Sequence, residues 1–138
     1  GNLQVNALTA GDVTITANTI STDQPTLGLT AATVTTSADL TVGGTFTESS
    51  ALVYKMNVTP IASALETVLQ LVGYNYDRRD SGRHETGLIA EQVDKHIPQA
   101  VTYKDGKPDG IQYTKLVGYL VESIKELKDE IDILKGKK

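Results

Sequence analysis

Few side chains in these 138 residues are of a kind that does covalent or metal chemistry. The chain has no cysteine, which excludes a disulfide framework, a thiolate zinc site and a cysteine nucleophile together. Its two histidines are His84, in Arg83-His84-Glu85-Thr86-Gly87, and His96, just ahead of Pro98. His96 reads as a helix-end residue that suits the dipole and does no chemistry. Asp105 and Asp109 fall short of the ligand count of a calcium loop. Lys107 follows Gly106 without the glycine spacing or the Ser/Thr of a phosphate-binding loop. Arg78, Arg79 and Arg83 stand among Asp77, Asp80 and Glu85, a solvated ion-pair network rather than a nucleic-acid surface. No metal and no cofactor is expected. What remains is serine hydroxyls and lysine amines, and their use depends on the elements that carry them.

Those elements divide sharply. Residues 1–50 hold only Asp12, Asp23, Asp39 and Glu48 as charged groups, and the other thirteen acids and all thirteen bases lie beyond them. The net charge of −4 therefore sits in the first part and argues against a partner made of phosphate backbone. No apolar run is long enough to span a bilayer, so no membrane partner is expected either. Two architectures are expected, 1–48 and 49–138.

The first is rich in Thr, Val, Leu and Gly. Asp12 to Thr16, Leu40-Thr41-Val42 and Thr45-Phe46-Thr47 alternate as strands do, with glycines between them. Strands this short and few cannot enclose a core, and edges with so little charge invite pairing. The expectation is a trimeric β-stem, a β-prism or β-helix, whose edges and apolar faces are covered by other copies of the chain. A Thr-rich linker is the duller alternative. Gly1 in place of an initiating Met suggests a parent chain that extends upstream.

The second part reads as a small α+β head. Thr59 and Pro60 suit a helix start, Ile61, Leu65, Val68 and Val72 its apolar stripe, and Gly73 its end. Tyr74-Asn75-Tyr76 reads as a strand, Asp77 to Arg83 as a charged turn and Glu91 to His96 as a short helix stopped by Pro98. Two strands, Ala100 to Tyr103 and Gly110 to Tyr113, flank a polar tip as a β-hairpin. Thr114 suits the cap of a last helix reaching about Lys135. Along it Val117, Leu120, Ile124, Leu127, Ile131 and Leu134 fall at alternating steps of three and four, a heptad seam. The helix either self-associates or lies as an amphipathic helix on its own domain.

Ser50 to Val58, Ala64-Leu65, Gly73-Tyr74-Asn75-Tyr76, Gly87 to Val93, Pro98, Tyr113, Leu116 and Ile124-Lys125-Glu126-Leu127 form an ordered series. This series resembles the intramolecular chaperone auto-processing domain at the C-terminus of phage tail spikes, tail fibres and neck appendages, endosialidase tail spikes included. The resemblance covers about residues 49–134. It implies a homotrimerising module that folds its upstream β-helical stem in register and then releases itself by autoproteolysis. In that family a Ser attacks the carbonyl before it, with a Lys as base. The family's cut carries Ser-Asp, then Arg, Lys and Asn at three, five and seven residues after the Ser. Ser50, Lys55 and Asn57 match, so the implied scissile bond is Ser49–Ser50; Ala51 and Val53 depart from the pattern. A His has also been implicated in processing, which makes His84 a further candidate for proton transfer or for polarising the scissile carbonyl.

The spacing constrains that chemistry. A serine hydroxyl needs a base to remove its proton, and lysine, with an ordinary pKa of about 10.4, acts as one only when desolvated. Leu52, Val53, Tyr54 and Met56 are suitable neighbours. Yet an offset of five puts Ser50 and Lys55 on opposite faces of a strand and about 140° apart on a helix. Either a sharp turn falls within 51–54, or the Lys comes from a neighbouring chain. Two functions fit these residues: a self-releasing trimerisation chaperone, made in the host cytoplasm for the virion tail or appendage, and an uncut structural or receptor-binding fibre tip.

Overall fold

In a computed structural model, residues 34–36 and 39–136 are described. The stem expected over 1–48 therefore lies largely outside the described residues, including the strand proposed at 12–16. Residues 39–50 are exposed and carry no strand, 40–42 and 45–47 included, within this single chain. The chain divides into two units between Ser49 and Ser50, and every regular element among the described residues lies in the second.

The order in that second unit is helix α1 (Ala64–Leu69), strands β1 (Tyr74–Asp77) and β2 (His84–Gly87), helix α2 (Ala90–Asp94), strands β3 (Val101–Lys104) and β4 (Lys107–Ile111), and helix α3 (Tyr113–Leu134). Each strand pair is an antiparallel two-stranded sheet, β1 with β2 and β3 with β4. The β3–β4 turn is tight because Asp105 and Gly106 both take positive φ, 51° and 73°, the pattern of a two-residue primed turn. The expected five-residue polar tip thus shrinks to two, and Lys107 to Ile111 becomes strand.

Neither hairpin can bury a core alone, so the core forms where α2, the turn after it and α3 meet. Val93, Ile97, Ala100, Val101 and Leu116 are buried together, and Leu71, Leu88, Ala90, Ile111 and Tyr119 pack around them.

Three further expectations for the elements change. The first helix starts at Ala64, not at Thr59–Pro60, and gives way at Gln70 rather than at Gly73. The reason is tertiary: Ile61 is spent on packing against α3, where a Cβ at Gly118 would lie 3.2 Å from its Cδ1. The segment Asp77 to Arg83 is a turn, as read, but it leads into β2, which pairs Tyr74 with Gly87 and Asp77 with His84. The alternation test missed β2 because His84-Glu85-Thr86-Gly87 has no apolar residue. Thr114 lies inside α3, and Gln112 occupies the flanking position without a side-chain cap.

Candidate functional site

The segment between Ser50 and α1 contains one short 3₁₀ turn, Leu52–Tyr54. It is closed by Tyr54 N–H donating to Ala51 O at 3.1 Å and Lys55 N–H donating to Leu52 O at 2.9 Å. This turn removes the obstacle posed by a spacing of five. Lys55 Nζ donates to Ser50 Oγ at 2.7 Å and to Ser50 O at 2.7 Å. The hydroxyl and the amine therefore meet within one chain, through the turn inside 51–54. The carbonyl that Lys55 holds is Ser50's own, on the far side of Ser50 from the Ser49–Ser50 bond.

The surroundings are less complete than the pairing. Every residue from 50 to 60 is exposed. Leu52, Val53, Tyr54 and Met56 retain 72, 83, 71 and 84% of their exposure, so the apolar neighbours of Lys55 do not cover it. An ammonium donating to two oxygens cannot itself accept a proton; a lysine that takes one must first lose its own.

His84 stands apart from this pair. Its Nδ1 is 2.8 Å from Asp77 Oδ1 across the β1–β2 hairpin, and the two side chains are 73 and 72% exposed. Its described contact is with Asp77, not with Ser50 or Lys55. Two of the three arginines form ion pairs: Arg78 meets Asp80, and Arg83 lies 3.7 Å from Glu85. Hydrogen bonding from the Arg78 guanidinium holds the Asp80 carboxyl well below the usual carboxylate range. No cluster of three metal-ligating side chains is present among the described residues, and no described helix is long and apolar enough to cross a membrane.

Helix α3 uses two different faces. Leu116 and Ser123 are buried, with Tyr119 and Glu126 partly so, and this face meets the domain's own core and α1. The heptad residues Val117, Leu120, Ile124, Leu127, Ile131 and Leu134 keep 54, 47, 66, 44, 37 and 86% of their exposure. The domain buries the Leu116 face and leaves the heptad seam only partly covered in the single chain. Leu120 also borders an apolar cleft of about 280 Å³ with Val68, Leu71 and Leu116.

Residues to which the sequence alone assigned no role hold these parts together. The Glu126 carboxylate accepts from Ala64 N–H at 3.0 Å and Leu65 N–H at 2.8 Å, capping α1 from α3. Ser63, the residue before α1, has φ 51° and makes no side-chain cap of its own. Gly87 admits the Tyr113 hydroxyl, which a Cβ would meet at 2.7 Å, and that hydroxyl accepts from Leu88 N–H at 3.0 Å. The usable signal for Glu126 was its place on the buried line Leu116, Tyr119, Ser123, where an acid needs a partner.

Residues 52–102 match the family model described as chaperone of endosialidase. No curated protein matches the chain at a significant level.

Proposed function

We propose, from the match of residues 52–102 to the endosialidase-chaperone family model, that the chain is the C-terminal trimerisation module of a tail protein and that it cuts itself free. It directs folding of its upstream β-stem as a homotrimer, and hydrolysis at Ser49–Ser50 then separates it from the virion-bound product. Lys55 in its neutral form takes the Ser50 Oγ proton, and Oγ bonds to the Ser49 carbonyl carbon. The Ser49–Ser50 C–N bond breaks, the Ser50 nitrogen takes up a proton, and water hydrolyses the resulting ester. The observation that carries this reading is the 2.7 Å approach of Lys55 Nζ to Ser50 Oγ.

The exposure of the pair gives the cut its timing. Leu52, Val53, Tyr54 and Met56 flank Lys55, and packing of three chains would remove water from them and from the amine. Cutting would then wait for assembly. The part-exposed heptad seam of α3 supplies the trimer contact. Light scattering should give a trimer, and Ser50→Ala should remain trimeric and uncut. A stable monomer at micromolar concentration would overturn the assembly half of the proposal.

One observation favours a second reading. Ala51 and Val53 replace the Asp and Arg of the family's cut site, so the chain could serve as an uncut, receptor-binding tip. Ala51→Asp combined with Val53→Arg should speed cutting if these two positions slow it.

A further inference from the structure

The apolar cleft beside α3 adjoins the heptad seam through Leu120, and the heptad positions define what a neighbouring chain brings to it. Val117, Ile124 and Ile131 occupy the a positions and Leu120, Leu127 and Leu134 the d positions. The flanking g positions are then Leu116, Ser123 and Glu130, and the flanking e positions are Val121, Lys128 and Lys135. The last two e positions carry the charge usual at such places, whereas Val121 is apolar and keeps 45% of its exposure in the single chain.

In a parallel, in-register bundle each g residue faces the e residue of the next heptad on its neighbour. Glu130 then meets Lys135 of the neighbouring chain, an attractive pair. An antiparallel pair would face e with e and set lysine against lysine. The middle flank is satisfied within one chain: the Ser123 hydroxyl donates to Leu120 O at 3.0 Å, and Lys128 pairs with Asp132.

The register that joins Glu130 to Lys135 also brings Val121 of the neighbour onto Leu116. Leu116 lines the cleft of about 280 Å³, with Val68 and Leu71 of α1, Leu88, and Tyr113 and Leu120 of α3. No charged side chain lines this cleft, so it suits an apolar occupant and rejects a charged one.

We propose that the cleft is a socket for Val121 of a second copy of this chain, so that each head in the trimer seats one side chain of its neighbour beside the heptad core. The proposal deepens the trimer reading and rests on it; the self-cleavage chemistry plays no part.

Trimers assembled from isotope-labelled and unlabelled Ser50→Ala chains test the socket in filtered nuclear Overhauser spectra, which report contacts between chains alone. Val121 methyls of one chain should contact the Val68 and Leu88 methyls of another. A trimer whose Val121 contacts reach the seam but neither Val68 nor Leu88 overturns the socket and leaves the trimer standing. In a second measurement, Val121→Asp should keep the circular dichroism of the head, because Val121 is exposed there. It should raise the concentration at which the trimer half-dissociates on the order of tenfold or more, since the cleft offers a carboxylate no partner. Unchanged dissociation in Val121→Asp overturns the proposal. A wild-type chain that stays monomeric at micromolar concentration removes the trimer reading and the socket with it.

Discussion

Replacing Glu126 by alanine tests how α1, and with it the chain leading back to the Ser50–Lys55 pair, is held to the long helix. Two backbone donors, Ala64 N–H and Leu65 N–H, would lose a charged acceptor at 3.0 and 2.8 Å. Loss of an N-cap alone costs about 1 kcal/mol, and a hydrogen bond to a charged group contributes about 1.5–3 kcal/mol net. Glu126 is only partly buried, so water can replace part of what is lost, and roughly 2 kcal/mol is the expected cost. α1 has six residues and no local cap, so the loss should fall on it first. For a domain of this size, 2 kcal/mol corresponds to a fall of about 10 °C in Tm. The comparison must be made at fixed protein concentration, because assembly makes Tm depend on it. Hydrogen exchange gives the local reading: protection of the Ala64 and Leu65 amides should drop roughly thirtyfold. Glu126→Gln, which keeps one accepting oxygen, should lose less. Unchanged exchange at both amides in Glu126→Ala would refute the capping role of Glu126.

Other contacts carry their own expected outcomes. Gly87→Ala should destabilise by about 1 kcal/mol, because the new Cβ displaces the Tyr113 hydroxyl from Leu88 N–H; denaturant unfolding measures it, and Tyr113→Phe should reduce the additional cost. Ile124→Asp should leave secondary structure by circular dichroism intact, since Ile124 is 66% exposed in the single chain. Its trimer should nevertheless dissociate in light scattering, because a charge in a heptad core is not hydrated. Mixed trimers of Ser50→Ala and Lys55→Ala chains, each carrying its own tag, should not cut, since the pair forms within one chain. Cleavage in purified mixed trimers would assign the base to a neighbour.

The two halves of the sequence were unequally informative. α2, β3 and α3 stand near their expected positions, whereas the strand expected over Gly110 to Tyr113 runs Lys107–Ile111 because the turn needs only two residues and Tyr113 opens α3. Where tertiary contacts decide, local pattern fails: Thr59-Pro60 has the residues of a helix start, yet α1 begins where the Glu126 carboxylate meets its N–H groups. β2 escaped because an exposed hairpin strand needs no apolar face. At the site, spacing alone limited Ser50 and Lys55 to a local turn or a cross-chain contact, and the 3₁₀ turn of Leu52–Tyr54 is what joins them. The left-handed backbone of Asn57 was hidden because sequence names a residue without its φ. The heptad was legible, but which face of α3 the domain claims depended on where α1 docks.

Intact-mass spectrometry of the freshly purified chain over time tests the central claim most directly. The account predicts two products whose masses place the break between Ser49 and Ser50, accumulating in wild type and absent in Ser50→Ala. A wild-type trimer that keeps its full mass, or a break that forms equally in Ser50→Ala, would contradict it.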